Sequence, residues 1–145
     1  MLSINIEQVG GFSPKQTSRD INLHVSFTNA STEPVVVNSR GIVAGQESPD
    51  FIRDITIRIA DEESGKIAAF DCLPNVAPLR AENFRVLGPG DSLRIDRNLG
   101  CFVLKKGRYF VTATVDAPPP SGLSLRGIRF AELPVVSNRL AVEIR

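Results

Sequence analysis

Apolar and polar residues alternate along five stretches of this chain. The stretches are residues 2–6, 21–28, 55–59, 108–115 and 139–144. A period of two places one face of a β-strand on a core and the other face in water. Further strands are predicted at three shorter β-prone segments, which are 34–38, 66–70 and 92–95. No segment has a sustained 3.6-residue apolar period, and only residues 79–84 are expected to form a helical turn.

Turn-forming residues separate these predicted strands. Residues 61–65 form a predicted hairpin loop ending in Gly65, where a positive φ angle is easiest. Tight turns are also predicted at 88–90, a Gly-Pro-Gly sequence, and at 105–107, a Lys-Lys-Gly sequence. Alternating strands joined by short turns predict one all-β domain over residues 1–145. Its expected fold is an immunoglobulin-like antiparallel β-sandwich of about seven to nine strands.

Two sequence patterns resemble bacterial immunoglobulin-like β-sandwich domains. The first is INLHVSFTN followed by EPVVV, at 21–37, and the second is FRVLGPGDS with FVLKKGRYFV, at 84–92 and 102–111. Over roughly residues 20–115 the chain is similar to the N-terminal sandwich of deuterolysin-like peptidases and to intracellular proteinase-inhibitor-like domains. These motifs are structural, so the resemblance implies a fold rather than an activity. The His-Glu-x-x-His zinc helix of the peptidase half has no counterpart, because the chain has one histidine.

Tyr109 is the only tyrosine of the chain and stands near the start of a late predicted strand. This position fits a tyrosine corner, in which the hydroxyl bonds to backbone a few residues upstream. A buried phenol normally finds such a partner, so a structural role is expected for Tyr109.

Charge and hydropathy exclude two classes of partner. The 17 basic and 16 acidic residues are interspersed, whereas a nucleic-acid site needs a basic face or stripe. No apolar run approaches the roughly 20 residues of a membrane span. The N-terminal sequence lacks the basic start and apolar core of a signal peptide. We therefore expect no nucleic-acid or membrane partner, and a cytoplasmic location unless a leader or parent chain has been removed.

The residues also argue against an enzyme or a metalloprotein. One histidine, His24, cannot build a multi-histidine zinc or blue-copper site, and it falls on the predicted solvated face of its strand. Carboxylates cluster at 61–63 and at Asp91 with Asp96, where solvation is expected; weak calcium binding at 61–63 is the alternative. We expect no catalytic residues and no cofactor.

The two cysteines, Cys72 and Cys101, leave two alternatives open. In a cytoplasmic protein the expectation is two free, buried thiols. The alternative is one disulfide that ties the middle of the chain to the segment before Tyr109.

The segment 117–137 is too long for a simple turn, and such loops are often functional. Apolar side chains beside arginines are typical of interface hot spots. The predicted partner-binding residues are Leu123, Leu125, Arg126, Ile128, Arg129 and Phe130. The predicted function is a non-catalytic protein-binding module, inhibitor-like or immunity-like. Two alternatives stay open: the apolar residues fold back over the sandwich, or the chain is a structural domain that forms a homodimer or belongs to a larger protein.

Overall fold

The residues that the structure describes form ten β-strands. The computed structural model describes residues 1–10, 16–45, 53–73, 79–116, 125 and 127–145. In chain order the strands are β1 (Leu2–Gln8), β2 (Asn22–Asn29), β3 (Val35–Asn38), β4 (Val43–Gly45), β5 (Ile55–Asp61), β6 (Phe84–Leu87), β7 (Ser92–Asn98), β8 (Gly107–Val115), β9 (Val135–Val136) and β10 (Leu140–Ile144). Two single-turn 3₁₀ helices, Ser18–Asp20 and Ala81–Asn83, are also present, and no described helix is long and apolar enough to cross a membrane. The all-β prediction and the helical turn within 79–84 are confirmed.

The strands form three sheets. Their orders are β1-β2-β7, β10-β8-β5-β4 and β3-β6. Neighbouring strands are antiparallel except for β4 and β5, which are parallel. β9 pairs with the same edge of β8 as β10 does, so β9 and β10 are one strand interrupted at 137–139. The predicted antiparallel sandwich is confirmed, and its immunoglobulin-like class stays a prediction.

Period-two alternation explains why these segments form a sandwich. In β2 the side chains of Leu23, Val25 and Phe27 are buried, while the polar residues between them lie on the outer face. The buried faces of the three sheets share one apolar cluster. Burial of this cluster is the main favourable term in folding such a sandwich.

The tyrosine corner predicted at Tyr109 is confirmed. The Tyr109 hydroxyl donates to the carbonyl of Lys105 at 2.9 Å and accepts from the N–H of Lys105 at 3.1 Å. Both bonds hold the predicted turn that leads into β8.

The strand predicted at 66–70 is wrong. This segment forms two isolated bridges, Ile67 with Ala60 and Phe70 with Phe102. After the turn at 61–65, which has Gly65 at a φ of 70° as predicted, the chain pairs briefly with β5. It then crosses to residues 101–103, so neither neighbour holds it long enough to form a ladder.

The expectation of free, buried cysteines is also wrong. Cys72 and Cys101 form a disulfide with a Cα–Cα distance of 5.3 Å. Asp71 N–H donates to the Cys101 carbonyl, and Val103 N–H donates to the Ala69 carbonyl, so backbone pairing places the two thiols side by side. Cys72 is exposed and Cys101 is half-buried.

Candidate functional site

The predicted partner-binding residues lie on the segment that precedes β9. Leu123 and Arg126 fall outside the described residues. Leu125 and Ile128 are half-buried, and Ile128 N–H donates to the Leu125 carbonyl at 2.9 Å. Arg129 is exposed.

Phe130 docks this segment onto the body of the protein. Its half-buried ring meets the ring of Phe84 edge to face, with centroids 5.6 Å apart. On either side of it, Val36 N–H donates to the Arg129 carbonyl at 2.9 Å and Ala131 N–H donates to the Val36 carbonyl at 3.0 Å. The segment therefore pairs with the backbone of β3 at Val36. The Phe130 side chain faces inward, and the Arg129 side chain stays accessible.

A groove of about 540 Å³ opens between β1 and the chain around β9. Its size falls within the roughly 300–1,000 Å³ of ordinary ligand sites. We call it the edge groove, and it is lined by Met1, Leu2, Ser3, Ile4, Val35, Arg129, Glu132, Leu133, Pro134, Val135 and Val136. One wall is thus the outer edge of a sheet, and the other is mostly apolar.

In β1, Leu2 and Ile4 direct their backbone polar groups away from β2 and toward the edge groove. Ala30 N–H donates to the Met1 carbonyl, and Val9 N–H donates to the Asn22 carbonyl, so the odd-numbered residues of β1 pair with β2. In an antiparallel ladder the intervening residues direct N–H and C=O to the opposite side. For β1 that side is the outer edge of its sheet. Leu2 and Ile4 therefore bury their side chains in the core and direct their backbone groups into the groove.

Asn138 closes this edge at one position. Its side-chain Oδ1 accepts from Ile6 N–H at 2.7 Å, and its Nδ2 donates to the Ile6 carbonyl at 3.0 Å. Asn138 lies in the interruption between β9 and β10. Ser137 holds this interruption in place by bonding the backbone of Ala113 through its own N–H and its hydroxyl. Among the described residues, no equivalent partner reaches the outward backbone groups of Ile4.

Opposite charges stand at the rim of the edge groove. Arg129 and Glu132 are both exposed. Within the described part of the chain neither forms a salt bridge. The rim thus offers one cation and one anion to a ligand that lies along the groove.

The single histidine is part of a cross-strand pair. His24 Nδ1 lies 2.5 Å from Asp96 Oδ1, and the His24 side chain is 20% exposed, so it is paired rather than fully solvated. The hydrogen bond with His24 lowers the pKa of Asp96, with a smaller contribution from the charge of Arg94. The two residues are direct partners across β2 and β7, so the pair supports the sheet.

The clustered carboxylates serve as turn acceptors. Asp61 accepts from the N–H groups of Glu63 and Ser64 and from the Ser64 hydroxyl, and the bonds with Ser64 are the main reason that its pKa is lowered. Asp91 accepts from Gly88 N–H in the predicted turn at 88–90. Over the ranges that the structure describes, no group of three His, Cys, Asp or Glu residues is placed to hold a metal.

A buried ion pair was not predicted from the sequence. Asp54 is 4% exposed and accepts two bonds from the Arg40 guanidinium, at 2.8 and 2.9 Å. It also accepts from the Asn38 amide and from Ile42 N–H. All these partners lie on the chain from β3 into β4, so Asp54 fixes that connection. No local pattern distinguishes Asp54 or Asn138 from solvated loop residues.

Comparison with known proteins adds no family to this description. No protein-family model matches the chain, and no curated protein is significantly similar to it. Function therefore has to be inferred from the chemistry of the edge groove.

Proposed function

We propose that the protein is a non-catalytic module that binds another protein through the edge groove. The observation that carries this proposal is the outer edge of β1 at Ile4, which no described residue pairs and which faces an apolar wall. Exposed strand edges invite pairing with other chains, and proteins usually block them with charges, prolines or a covering segment. Asn138 closes the outer edge of β1 at Ile6, whereas no described residue bonds the outward backbone groups of Ile4. An edge left open beside apolar side chains is what a binding site requires.

The segment predicted to bind a partner supplies the second wall of this groove. Arg129 belongs to the predicted set and stands on the rim, and Leu133 to Val136 lie within the predicted range 117–137. An accessible arginine next to apolar side chains is typical of interface hot spots. Because Phe130 packs against Phe84, its part in the proposal is to hold this wall in place.

The disulfide favours an oxidising compartment as the place of action. Disulfides persist in secreted and periplasmic proteins and are rare in the reducing cytosol. The bond between Cys72 and Cys101 supports a location outside the reducing cytosol in place of the cytoplasmic one expected from the sequence.

A matched pair of valines tests the proposal. Val136 lines the edge groove and is 60% exposed, whereas Val103, beside the disulfide, is 55% exposed. Wild type, Val136→Glu and Val103→Glu are immobilised, and proteins captured from an extract of the source cells are identified by mass spectrometry. We expect a partner that binds wild type and Val103→Glu and is lost with Val136→Glu. Equal capture by both variants would show that the binding site lies outside the edge groove. If wild type captures no partner reproducibly, the proposal is overturned.

The same open edge favours self-association as the second candidate function. Two copies can pair edge to edge through exposed strands. Light scattering over a range of concentrations separates the candidates, because a homodimer that Val136→Glu disrupts and Val103→Glu preserves would assign the groove to self-assembly.

A further inference from the structure

We infer that the partner carries an acidic segment that binds two arginines on the outer face of the sheet formed by β10, β8, β5 and β4. The arginines are Arg58 and Arg139. Because the segment is assigned to the protein bound at the edge groove, the inference rests on the proposed function. It commits to one occupant, a stretch of another protein that presents carboxylates to this face.

The strand register places the two arginines on either side of one threonine. Arg58 of β5 is the direct partner of Thr112 in β8. On the other side of β8, the ladder with β10 starts at Leu140, and the same register puts Arg139 beside Thr112. Neighbouring strands are about 4.8 Å apart, so the two arginine backbones are about 10 Å apart and their side chains can reach a common ligand. We call Arg58, Thr112 and Arg139 the arginine row.

The arginine row lies on the solvent side of its sheet. Ile57 and Ile59, the neighbours of Arg58 along β5, are buried in the core, so the Arg58 side chain points to the opposite face. Both arginines are exposed, and Thr112 between them is half-buried. The row therefore presents two guanidinium groups to solvent, with one hydroxyl between them.

Phe110 holds one of these guanidinium groups in place. The central carbon of the Arg139 guanidinium lies 4.1 Å from the centroid of the Phe110 ring. Phe110 is the next outward residue of β8 and is half-buried, so its ring is a fixed platform. A stacked guanidinium keeps N–H donors free at its edge, and these match the two oxygens of a carboxylate. Holding the group in place reduces the entropy that binding costs.

No acidic side chain neutralises the arginine row. Within the part of the chain that the structure describes, Arg58 and Arg139 form no salt bridge. The outward positions two residues from the row along the three strands are Thr56, Ala60, Phe110, Thr114 and Ala141. An outward carboxylate on these strands is therefore at least about 13 Å along the chain from the row, farther than the screening length of about 8 Å at physiological ionic strength.

These properties select an anionic occupant. An anion between two like charges relieves their repulsion, and the Thr112 hydroxyl can donate to an oxygen of the same ligand. Exposed arginines that stack on an aromatic ring are also common where proteins bind acidic segments.

The arginine row adjoins the edge groove. Val136, which lines the groove and is exposed, is the direct partner of Thr114 in β8. Thr114 and Thr112 are successive outward residues of β8, about 7 Å apart. A protein that covers Val136 therefore reaches the arginine row along the same sheet. This continuity identifies the occupant as a segment of the partner that binds the groove.

A labelled hexaglutamate peptide tests the arginine row without the partner. Its binding to the whole protein is measured by fluorescence anisotropy at low ionic strength for wild type, Arg58→Gln, Arg139→Gln and Arg85→Gln. Arg85 is the matched control, because it is an exposed arginine of β6, in another sheet, with no salt bridge to a described residue. We expect Arg58→Gln and Arg139→Gln each to weaken binding about threefold or more, and Arg85→Gln to change it little.

A lysine substitution separates a shaped site from general attraction by positive charge. Lysine keeps the charge but lacks the planar donor group that stacks on Phe110. We therefore expect Arg139→Lys to weaken hexaglutamate binding and Arg85→Lys to leave it unchanged. Equal effects at the two positions, or no saturable binding by wild type, would overturn the arginine row as a site.

Two further outcomes would assign the face to another occupant and overturn the inference. The first is a single-stranded oligonucleotide of equal charge that binds the same two arginines more tightly than hexaglutamate does. The second is a homodimer at low ionic strength that Arg58→Gln/Arg139→Gln disrupts, which light scattering would detect.

Partner capture with the Arg58→Gln/Arg139→Gln variant keeps this inference apart from the proposed function. We expect the partner of wild type to be retained by Arg85→Gln and lost or depleted with the double variant. A partner that Val136→Glu loses and the double variant keeps in full would overturn the inference and leave the proposed function intact. If wild type captures no partner, the proposed function fails, and the hexaglutamate result alone decides whether the arginine row binds an acidic ligand.

Discussion

Three polar side chains of this protein form hydrogen bonds with backbone groups that a neighbouring strand would otherwise bond. Asn138 bonds Ile6 on the edge of β1, Tyr109 bonds Lys105 before β8, and Asp54 receives the N–H of Ile42. Only the role of Tyr109 was predictable, because its partner is four residues away and the motif is local. Asn138 and Ile6 are separated by 132 residues, so their contact depends on the tertiary fold, which no local pattern encodes.

Removing the Tyr109 hydroxyl should destabilise the protein. In Tyr109→Phe the Lys105 N–H and carbonyl lose their partner, at an expected cost of about 1–3 kcal/mol in the free energy of unfolding. Thr56→Val is the matched control, because the Thr56 hydroxyl is buried without a partner within the described structure. Its removal should be neutral or stabilising. Urea unfolding measures the free energy of unfolding of both variants. An unchanged value for Tyr109→Phe would contradict the stabilising role of the tyrosine corner.

Removing the buried Asp54 carboxylate should lower the free energy of unfolding more than removing the carboxylate of an exposed ion pair. In Asp54→Ala the Arg40 guanidinium, the Asn38 amide and the Ile42 N–H all lose their bonds to the buried carboxylate, and breaking a buried pair of this kind costs about 3–5 kcal/mol. Glu143 pairs with Arg145 at 3.8 Å, and both side chains are 38% exposed. Glu143→Ala should therefore change the free energy of unfolding by about 1 kcal/mol or less. Equal losses in the two variants would contradict the structural role of Asp54.

At the scale of elements, alternation predicts strands and fails where pairing is irregular. β1, β2, β5, β8 and β10 appear where a period of two was clear. Residues 66–70 have a β-prone composition but divide their backbone bonds between β5, at Ile59 and Asp61, and the chain at 101–103. β4 and β9 are three and two residues long, too short for a period to be visible. The sequence left the disulfide as one of two alternatives, because the pairing of Cys72 with Cys101 depends on where residues 69–71 meet 101–103.

The Cys72–Cys101 disulfide should be detectable by the absence of free thiols and by its contribution to the free energy of unfolding. Protein purified without reductant should contain no titratable thiol, and its intact mass should rise by about two hydrogens on reduction. The bridged residues are 29 positions apart, so the Cys72→Ser/Cys101→Ser variant should lose about 2–4 kcal/mol of unfolding free energy. Reductant should shift the unfolding midpoint of wild type and leave that of the variant unchanged. Two free thiols in the native protein would contradict the assignment.

At the scale of the whole molecule, the edge groove forms where the edge of the sheet that holds β1 lies beside the edge of the sheet that holds β9 and β10. The outer edge of β1 approaches the β9–β10 strand at Asn138, and at Ile4 no residue that the structure describes bonds this edge. The sequence predicted that the 117–137 segment would carry a binding surface, but it could not identify β1 as the other wall. Nothing in the alternation of residues 2–6 reveals which edge of the strand stays open. That information lies in the pairing of β1 with β2 and in the position of Asn138.

Native-state hydrogen exchange of the β1 amides tests the open edge most directly. A hydrogen-bonded amide exchanges only when its bond opens, so Ile6 should exchange at least roughly tenfold more slowly than Ile4. Asn138→Ala should remove this difference by freeing the Ile6 amide, while the odd-numbered amides that pair with β2 stay protected. Strong protection of Ile4 in dilute wild-type protein would mean that this edge is already occupied, and it would contradict the binding site proposed at the edge groove.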